Sequence, residues 1–286
     1  MKRSIKTAPL RFASIAALAA SSLALWTLPA QASSTTLSSN PYGSAGSLGY
    51  DVSYPQCNTV GTYPSNNFAI VGIGDGRPFT ANPCIDKLWS YAISASPTSM
   101  SIYFNTGNSG AYGKDITSDC KSATIPSIYS TRQQKQAWEI GCSEADFAFQ
   151  TALAAGVNPN APGNGSPIGA GMWWADIEDG NSWSTNTTLN QATINGIMSE
   201  LTSPQSGTSY GGTPYSAEAG VPVGIYSNAP SWLKITGGNF TPIAASADWI
   251  ATTTNTCPTS FDSSQTLLYQ YGTASNGGDS DTACVV

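Results

Sequence analysis

Residues 172–180 read Met-Trp-Trp-Ala-Asp-Ile-Glu-Asp-Gly, an apolar run that ends in three acids and a turn signal. In an extended strand, side chains two positions apart point to the same face. Asp176 and Glu178 would therefore point together, with Ile177 on the opposite face. The continuous apolar residues before Asp176 are typical of a parallel strand that is covered on both faces. The segment predicts an α/β fold with two carboxyl groups at the carboxyl end of a strand.

Similar apolar runs alternate with helix-like segments along the chain. The predicted strands are Leu48–Tyr54, Phe68–Gly74, Met100–Asn105, Gly171–Glu178, Val221–Ser227, Ala247–Thr252 and Leu267–Tyr271. The predicted helices are Asn82–Ala95, Thr131–Ala155 and Leu189–Leu201. This alternation predicts a TIM-like (β/α) barrel with its ligand site at the carboxyl ends of the strands. An eighth strand would lie in Asp281–Val286 or Ser203–Gly220, so a closed barrel and a degenerate one both remain open.

The amino terminus has the layout of a secretory signal peptide. Within residues 1–32, four basic residues precede an apolar run from about Phe12 to Leu28, and Ala30-Gln31-Ala32 follows. An uncleaved membrane anchor is the alternative, and Pro29 with the A-x-A ending favours cleavage. Residues 33–47 are rich in Ser, Thr, Gly and Asn and predict a flexible lead-in, followed by one domain over residues 48–286.

The charge balance after the leader excludes a nucleic-acid partner. All 17 acidic residues follow residue 32, but only seven of the 11 basic residues do, so the mature net charge is about −10. No later run is long and apolar enough for a membrane span. We therefore expect a secreted monomer, extracellular or associated with the cell wall, that binds a polymer through aromatic rings and hydrogen bonds.

Six cysteines in an exported chain predict three disulfides. Six cysteines allow fifteen pairings. We favour the pairs that close loops of about 20 to 30 residues, each worth about 3 to 4 kcal/mol: Cys57–Cys84, Cys120–Cys142 and Cys257–Cys284. A metal site is not expected, because there is no C-x-x-C motif.

The chain contains no histidine. This excludes Ser-His-Asp and Cys-His hydrolases and any zinc peptidase with imidazole ligands. Carboxyl groups remain for acid and base chemistry, and no cofactor is expected. Burying Asp176 and Glu178 side by side would push their pKa values apart and leave one protonated and one ionised. Glycoside hydrolysis requires this division of roles.

A third acid, Asp51, lies within the first predicted strand. In a barrel the first and fourth strands end at the same mouth, so three acids would converge there. The alternative is structural: Asp51 could be satisfied by neighbouring donors, and Asp176 and Glu178 could end the strand and cap the turn at Asp179-Gly180.

The sequence resembles glycoside hydrolase family 25 in an ordered set of motifs, and within it secreted actinobacterial relatives that share the Cys57 opening and the Asn82-Pro83-Cys84 helix start. The motifs are Gly49-Tyr50-Asp51-Val52-Ser53, Trp174-Ala175-Asp176-Ile177-Glu178, Val223-Gly224-Ile225-Tyr226-Ser227, Asp248-Trp249-Ile250-Ala251 and Tyr269-Gln270-Tyr271. The resemblance covers nearly all of residues 48–286. It implies a barrel muramidase that cleaves the β-1,4 bond after N-acetylmuramic acid in peptidoglycan.

The resemblance also implies roles for four acids. Glu178 would protonate the leaving oxygen, and Asp176 would stabilise an oxazolinium formed by the acetamido group of the substrate. Asp51 would help to hold the sugar. Asp281 is the candidate for a further acid near the carboxyl terminus, with Asp279 as the second choice.

Aromatic and amide side chains near the predicted mouth are candidates for sugar binding. Trp183 follows Glu178 in a loop, and Tyr226 and Trp249 stand at later strand ends. Tyr103, Asn105 and Gln270 complete the predicted binding set, although Asn105 and Gln270 could instead satisfy barrel backbone. Trp173 and Trp174 lie deeper in their strand and are expected to fill the core.

Two other functions remain open. The third strand reads Ile102-Tyr103-Phe104-Asn105, without the histidine that family 25 enzymes often carry there, so a catalytically silent barrel that binds extracellular glycan is one alternative. A chitinase-type barrel is the other. Such barrels carry further acids two and five positions before the Asp of D-x-E, where this chain has Trp174 and Gly171.

Overall fold

A computed structural model describes residues 37–59, 66–95, 99–157, 171–202, 209–210, 213–214 and 222–286. Its strands are β1 (Leu48–Val52), β2 (Phe68–Gly72), β3 (Met100–Asn105), β4 (Trp173–Asp176), β5 (Ser209–Tyr210), β6 (Thr213–Pro214), β7 (Val223–Ser227), β8 (Ala247–Ala251), β9 (Gln265–Thr273) and β10 (Asp279–Ala283). Its α-helices are α1 (Ile85–Ala95), α2 (Ser118–Ser122), α3 (Arg132–Ala154), α4 (Thr187–Thr202) and α5 (Ala229–Thr236). Short 3-10 helices occupy Tyr54–Asn58 and Gly110–Lys114.

Eight of these strands close a barrel, in the order β1, β10, β9, β8, β7, β4, β3 and β2. The predicted α/β barrel is therefore confirmed, and it is closed. The eighth strand is β10, which overlaps the predicted Asp281–Val286 segment. It runs antiparallel to both neighbours, whereas the prediction was a parallel sheet. Strands β5 and β6 form a separate pair, and the rest of 203–220 lies outside the described residues.

The barrel wall separates two apolar layers. Outside it, Trp173, Ala175 and Ile177 from β4 and its end pack with residues of the surrounding helices. Inside it, Trp174 packs with Trp249 and Tyr226. Small residues make room for these rings, since a Cβ on Gly224 would lie 2.3 Å from the Trp174 ring. Alternate residues of β4 thus face opposite layers, which directs Asp176 into the barrel.

Residues 37–47, the described part of the predicted lead-in, contact the barrel. Tyr42 is only 1% exposed, and its hydroxyl group contacts Ser101 Oγ at 2.6 Å and accepts from Trp174 Nε1 at 2.7 Å. The Asn40 side chain donates to the carbonyl groups of Leu267 and Cys284. One buried aromatic ring and one amide anchor the segment to the barrel, and neither produces a periodic pattern in the sequence.

Element boundaries differ from the prediction at turns with local hydrogen bonding. β1 ends at Val52, not Tyr54, because Ser53 and Gln56 form a reciprocal capping box that starts a 3-10 helix. Asn228 caps α5, a helix that was not predicted, by accepting from the Ser231 N–H. β4 ends at Asp176, although the Ile177 N–H still donates to the Tyr226 carbonyl.

The three disulfides are Cys57–Cys84, Cys120–Cys142 and Cys257–Cys284, the pairing that the loop lengths favoured. They link Tyr54–Asn58 to the start of α1, α2 to α3, and the loop after β8 to the end of β10. The predicted signal peptide lies outside the described residues. Within the described ranges, no helix combines the length and apolarity needed to span a bilayer.

Candidate active site

Polar and acidic side chains gather where the barrel strands end. Asn105, Asp176 and Tyr226 are the final or penultimate residues of three adjacent strands and stand side by side in register. Asp51 is the penultimate residue of β1 and is paired with Asp279 of β10. Asp51 and Asp176 thus lie at the same end of the barrel, and the charge of Glu178 raises the pKa of both.

Asp176 is held rigidly at the end of β4. Its side chain is 4% exposed, and Oδ2 accepts a short hydrogen bond from Asn105 Nδ2. Its backbone carbonyl accepts from the Thr106 hydroxyl group at 2.7 Å and from the Thr106 N–H at 3.2 Å. Oδ1 is buried and has no hydrogen-bond partner among the described residues. This oxygen is an acceptor without a donor, a costly state that a bound ligand would relieve.

Glu178 is the more accessible of the two acids, half-buried just beyond the strand. Its backbone carbonyl accepts from Trp183 Nε1 at 2.9 Å, which fixes the following loop. The next residue, Asp179, accepts from Lys234 Nζ at 2.8 Å and is bonded to Ser231 of α5. The Glu178 side chain is therefore free to reach a ligand while its backbone is fixed on both sides.

Asp51 belongs to a hydrogen-bonded chain that crosses the barrel. Gln270 Nε2 donates to Asp51 Oδ2 at 2.8 Å, and Gln270 Oε1 accepts from the Tyr226 hydroxyl group at 2.7 Å. Asp281 lies close to Asp51, and burial together with the charge of Asp51 raises the pKa of Asp281 well above its usual range. Gln270 is thus fully engaged in orienting Asp51, and Asn105 likewise orients Asp176.

The pKa values of these acids are all raised, and the predicted division into one protonated and one ionised group stays a prediction. Burial and the charge of Asp279 raise the pKa of Asp51 to about 7. Burial and the nearby Glu178 raise the pKa of Asp176 well above its usual range. Burial, followed by Asp179 and Asp279, raises the pKa of Glu178. The barrel interior offers these acids amide and phenol groups, which compensate for lost hydration less well than cations do.

Trp249 is not available to stack on a sugar, so its predicted role is wrong. It is 1% exposed, and its ring packs inside the barrel against Tyr103, Trp174 and Tyr226. Its Nε1 donates to Asp281 Oδ1 at 2.7 Å. The sequence suggested a strand end, but Trp249 is the middle residue of β8, and the inward face of a barrel strand is filled by core side chains below the last residue.

The two carboxyl-terminal candidates lie at different depths. Asp281 stands opposite Gly49 and Asp279 opposite Asp51, so Asp281 is one layer deeper in the barrel. Asp281 is fully buried, whereas Asp279 is exposed at the mouth. Asp281 therefore contacts the other acids from below, and Asp279 is the acid of β10 that lies open to a ligand.

The remaining predicted binding residues surround the acids. Tyr103 is partly exposed and is hydrogen-bonded to Ser53. Burial and the charges of Asp51 and Asp176 raise the pKa of its phenol. Tyr226 is buried, and its hydroxyl group donates a hydrogen bond to Gln270 Oε1. Trp183 is partly buried and borders a cavity of about 350 Å³ beside the mouth. Tyr103 and Trp183 thus remain the aromatic rings with surface to offer a sugar.

Sequence reasoning missed a buried acid behind the site. Glu144 of α3 is 2% exposed, and its Oε1 accepts from the Gly107 N–H at 3.0 Å, two residues beyond Asn105. Burial raises the pKa of Glu144 well above its usual range. Its signal in the sequence was an acid on the apolar face of a predicted helix, next to Ala145 and Ala148.

A group with the spacing of metal ligands occurs away from the mouth, at Cys120, Cys142 and Glu200. Both cysteines are joined in a disulfide, so they are not thiolate ligands.

The barrel is similar to solved lysozymes and muramidases. A muramidase from Trichobolus zukalii aligns with a TM-score of 0.52 and 18% identity, over 83% of this chain and 93% of that chain. The bacterial lysozyme from Streptomyces coelicolor (TM-score 0.50, 15% identity, 84% and 93% covered) and a family GH25 lysozyme from Aspergillus fumigatus (0.50, 14%, 83% and 93%) align similarly. No protein-family model and no curated protein matches the chain. The chain thus has the barrel fold of the family 25 lysozymes.

Proposed function

We propose that this chain is a secreted glycoside hydrolase that cleaves the β-1,4 bonds of peptidoglycan glycan chains as an N-acetylmuramidase. One observation carries the proposal: Asp51, Asp176 and Glu178 lie at the barrel mouth, and Glu178 alone of the three is partly exposed. A protonated, reachable carboxyl group beside a buried one is what a glycosidase needs. The shared fold with family 25 lysozymes supports the same choice.

In the proposed reaction, Glu178 donates its proton to the glycosidic oxygen as the bond to C1 breaks. The carbonyl oxygen of the substrate's own 2-acetamido group bonds to C1 and forms an oxazolinium. Its N–H donates to Asp176 Oδ1, the buried acceptor that is otherwise unpartnered. This donor lowers the pKa of Asp176 and favours the carboxylate that the cationic intermediate requires. Water then attacks C1 while Glu178 accepts its proton, which retains the anomeric configuration.

Asp51 serves a positioning role in this scheme. Because Gln270 Nε2 donates to its Oδ2, the carboxyl group of Asp51 is held in one orientation at the mouth. It would hold a sugar hydroxyl, with Asp279 nearby. Tyr103 and Trp183 would provide ring surfaces for the sugars on either side.

Release of reducing sugar from purified peptidoglycan tests the proposal. Wild type should release it, and Glu178→Gln should lose at least a thousandfold of the rate, because an amide cannot donate the proton. Asp86→Asn, which changes an exposed acid in the first turn of α1, is the control and should retain most activity. Chitin serves as a second substrate. Faster cleavage of chitin, or no cleavage of either polymer from pH 3 to pH 8, would favour the chitinase-type or the silent glycan-binding barrel.

Export is part of the proposal. It is supported by the charged, apolar and small-residue segments of residues 1–32 and by the three disulfides, which form in oxidising compartments. The mature protein would be a monomer that starts near Ser33, with its barrel domain over residues 48–286. Amino-terminal sequencing of protein from the culture medium tests this, and an intact Met1 would contradict it.

A further inference from the structure

A basic cavity of about 460 Å³ lies at the junction of α2 and α3, away from the acidic mouth. Lys121, Arg132 and Lys135 line it, and Glu139 is the one acid among its lining residues. Only seven basic residues follow residue 32, so three of the seven line this one cavity. In a chain with a mature net charge of about −10, that grouping marks a local site for an anion.

The cationic side chains face into the cavity. Glu139 is partly buried, and burial raises its pKa, whereas Lys121 and Lys135 both lower it. Two ammonium groups from different helices therefore act on one carboxyl group of the cavity wall. Arg132 is the first residue of the 23-residue helix α3, where the unpaired N–H groups add partial positive charge.

A second cavity adjoins the basic one. It has a volume of about 350 Å³, and Gln136 lines both cavities. Trp183 also lines the second cavity, and its indole N–H donates to the backbone carbonyl of Glu178 at the mouth. Between them stand the polar groups of Asn108, Gln133 and Ser182. These amides and hydroxyl groups can donate to and accept from peptide bonds without a charge of their own.

We infer that the joined cavities bind the stem peptide of peptidoglycan, with its backbone along the Asn108 and Gln133 side chains and its carboxylates at Lys121, Arg132 and Lys135. The inference rests on the proposed function, since a muramyl sugar at the mouth would project its peptide from there. The backbone of a stem peptide needs an uncharged surface that forms hydrogen bonds. Its carboxylates need a cationic surface next to that one. A phosphodiester polymer would require cations along the whole groove, and the second cavity has none among its lining residues.

Binding measurements test this separately from catalysis. The probes are a muramyl disaccharide-tetrapeptide and the same disaccharide after amidase removal of the peptide, titrated calorimetrically into Glu178→Gln protein. We expect the peptide-bearing probe to bind at least tenfold tighter. Lys121→Gln/Lys135→Gln in that background should abolish the difference, and added salt should reduce it. Lys87→Gln, an exposed lysine on α1, is the control and should leave the difference intact.

Equal affinity for the two probes, or a preference that survives in the double variant, would overturn the inference. A glycerol-phosphate oligomer forms a third arm: if the double variant loses only the binding of this oligomer, the cavity recognises phosphate and the peptide assignment is wrong. Because these titrations require no bond cleavage, a chain that fails to hydrolyse peptidoglycan would refute the hydrolase proposal while leaving this result interpretable.

Discussion

Hydrogen bonds between side chains at the mouth fix the orientation of each partner. Gln270 is hydrogen-bonded to both Asp51 and Tyr226, and Asn105 donates a hydrogen bond to Asp176. Gln270 and Asn105 orient Asp51 and Asp176, so substituting either amide should change function by changing the acid that it orients.

The pKa of Asp51 should depend on Gln270. Burial raises this pKa to about 7 and the Gln270 hydrogen bond lowers it, so Gln270→Leu should raise it further. Tyr226→Phe is the matched control, because it removes the hydroxyl group on the other side of Gln270 and leaves the bond to Asp51. Carboxyl-carbon NMR titration measures both. A pKa in the Gln270→Leu variant equal to or below that of wild type would show that the amide does not stabilise the carboxylate.

Glu144 should stabilise the loop that follows β3. Glu144→Ala leaves the buried Gly107 N–H without an acceptor, which costs about 1–3 kcal/mol before any cavity is counted. Glu144→Gln keeps an acceptor oxygen and should cost much less. Urea unfolding at pH 5 compares the two variants. Similar losses in both would mean that the carboxyl group, not the hydrogen bond to Gly107, is what the fold uses.

At this scale the sequence predicted which acids meet but not which side chains they bond. Alternation along the strand was enough to place Asp176 and Glu178 together, since that rule is local. Trp249 obeys the same rule and points inward, but its depth in the barrel depends on strand tilt and on the neighbouring rings. The partners of Gln270 lie 44 and 219 residues away in the chain, beyond any local pattern.

Helices α3 and α4 pack unusually closely at two glycines. A Cβ on Gly141 would lie 1.9 Å from the Thr193 carbonyl oxygen, and one on Gly196 would lie 2.1 Å from the Trp138 carbonyl oxygen. Both obstacles are backbone atoms, so neither helix can yield by turning a side chain. The crossing fixes α3, which carries Glu144 and the basic cavity.

Gly141→Ala should therefore destabilise the protein by about 3 kcal/mol, at the upper end of the usual cost of overpacking. Gly110→Ala is the control, because a Cβ there meets nothing within 4 Å. Thermal unfolding of the two variants tests the difference. A Gly141→Ala protein as stable as the control would show that the helices can separate without loss.

The helices themselves were predictable, but the closeness of their contact was not. The apolar positions of α3 and α4 recur with helical spacing, and Thr131 and Gln134 form a capping box where the predicted helix begins. From sequence alone, a glycine inside a helix indicates only a less stable helix. Its packing role appears only when the partner helix is known.

The whole molecule contains buried acids without cationic partners among their described contacts. Asp51, Asp176, Asp281, Glu144 and Asp248 all have pKa values raised by burial. The folded state therefore favours the protonated form of each acid more than the unfolded state does. The same groups are ordinary acids in the unfolded chain, with pKa values near 4.

Stability should therefore fall as the pH rises. A folded-state pKa above the unfolded one contributes its full stability below about pH 4, and that contribution is lost as the pH rises through the folded pKa. For Asp51 the folded value of about 7 corresponds to a loss on the order of 4 kcal/mol between pH 4 and pH 8. Urea unfolding across this range measures it. Stability that increases from pH 5 to pH 8 would contradict the assigned protonation states.

The barrel as a whole was predictable because its strands are nearly continuous apolar runs. Its closing strand was one of two candidates, since β10 reads Asp-Ser-Asp-Thr-Ala and carries two acids instead of a core pattern. Antiparallel closure places Asp279 and Asp281 against β1. The least strand-like segment of the sequence thus adds two acids to those near the mouth.

The masses of peptidoglycan fragments after digestion and borohydride reduction test the central claim most directly. A muramidase that works through Glu178 should produce fragments that end in N-acetylmuramitol with wild type and none with Glu178→Gln. Fragments that end in N-acetylglucosaminitol, or identical fragments from both proteins, would contradict it.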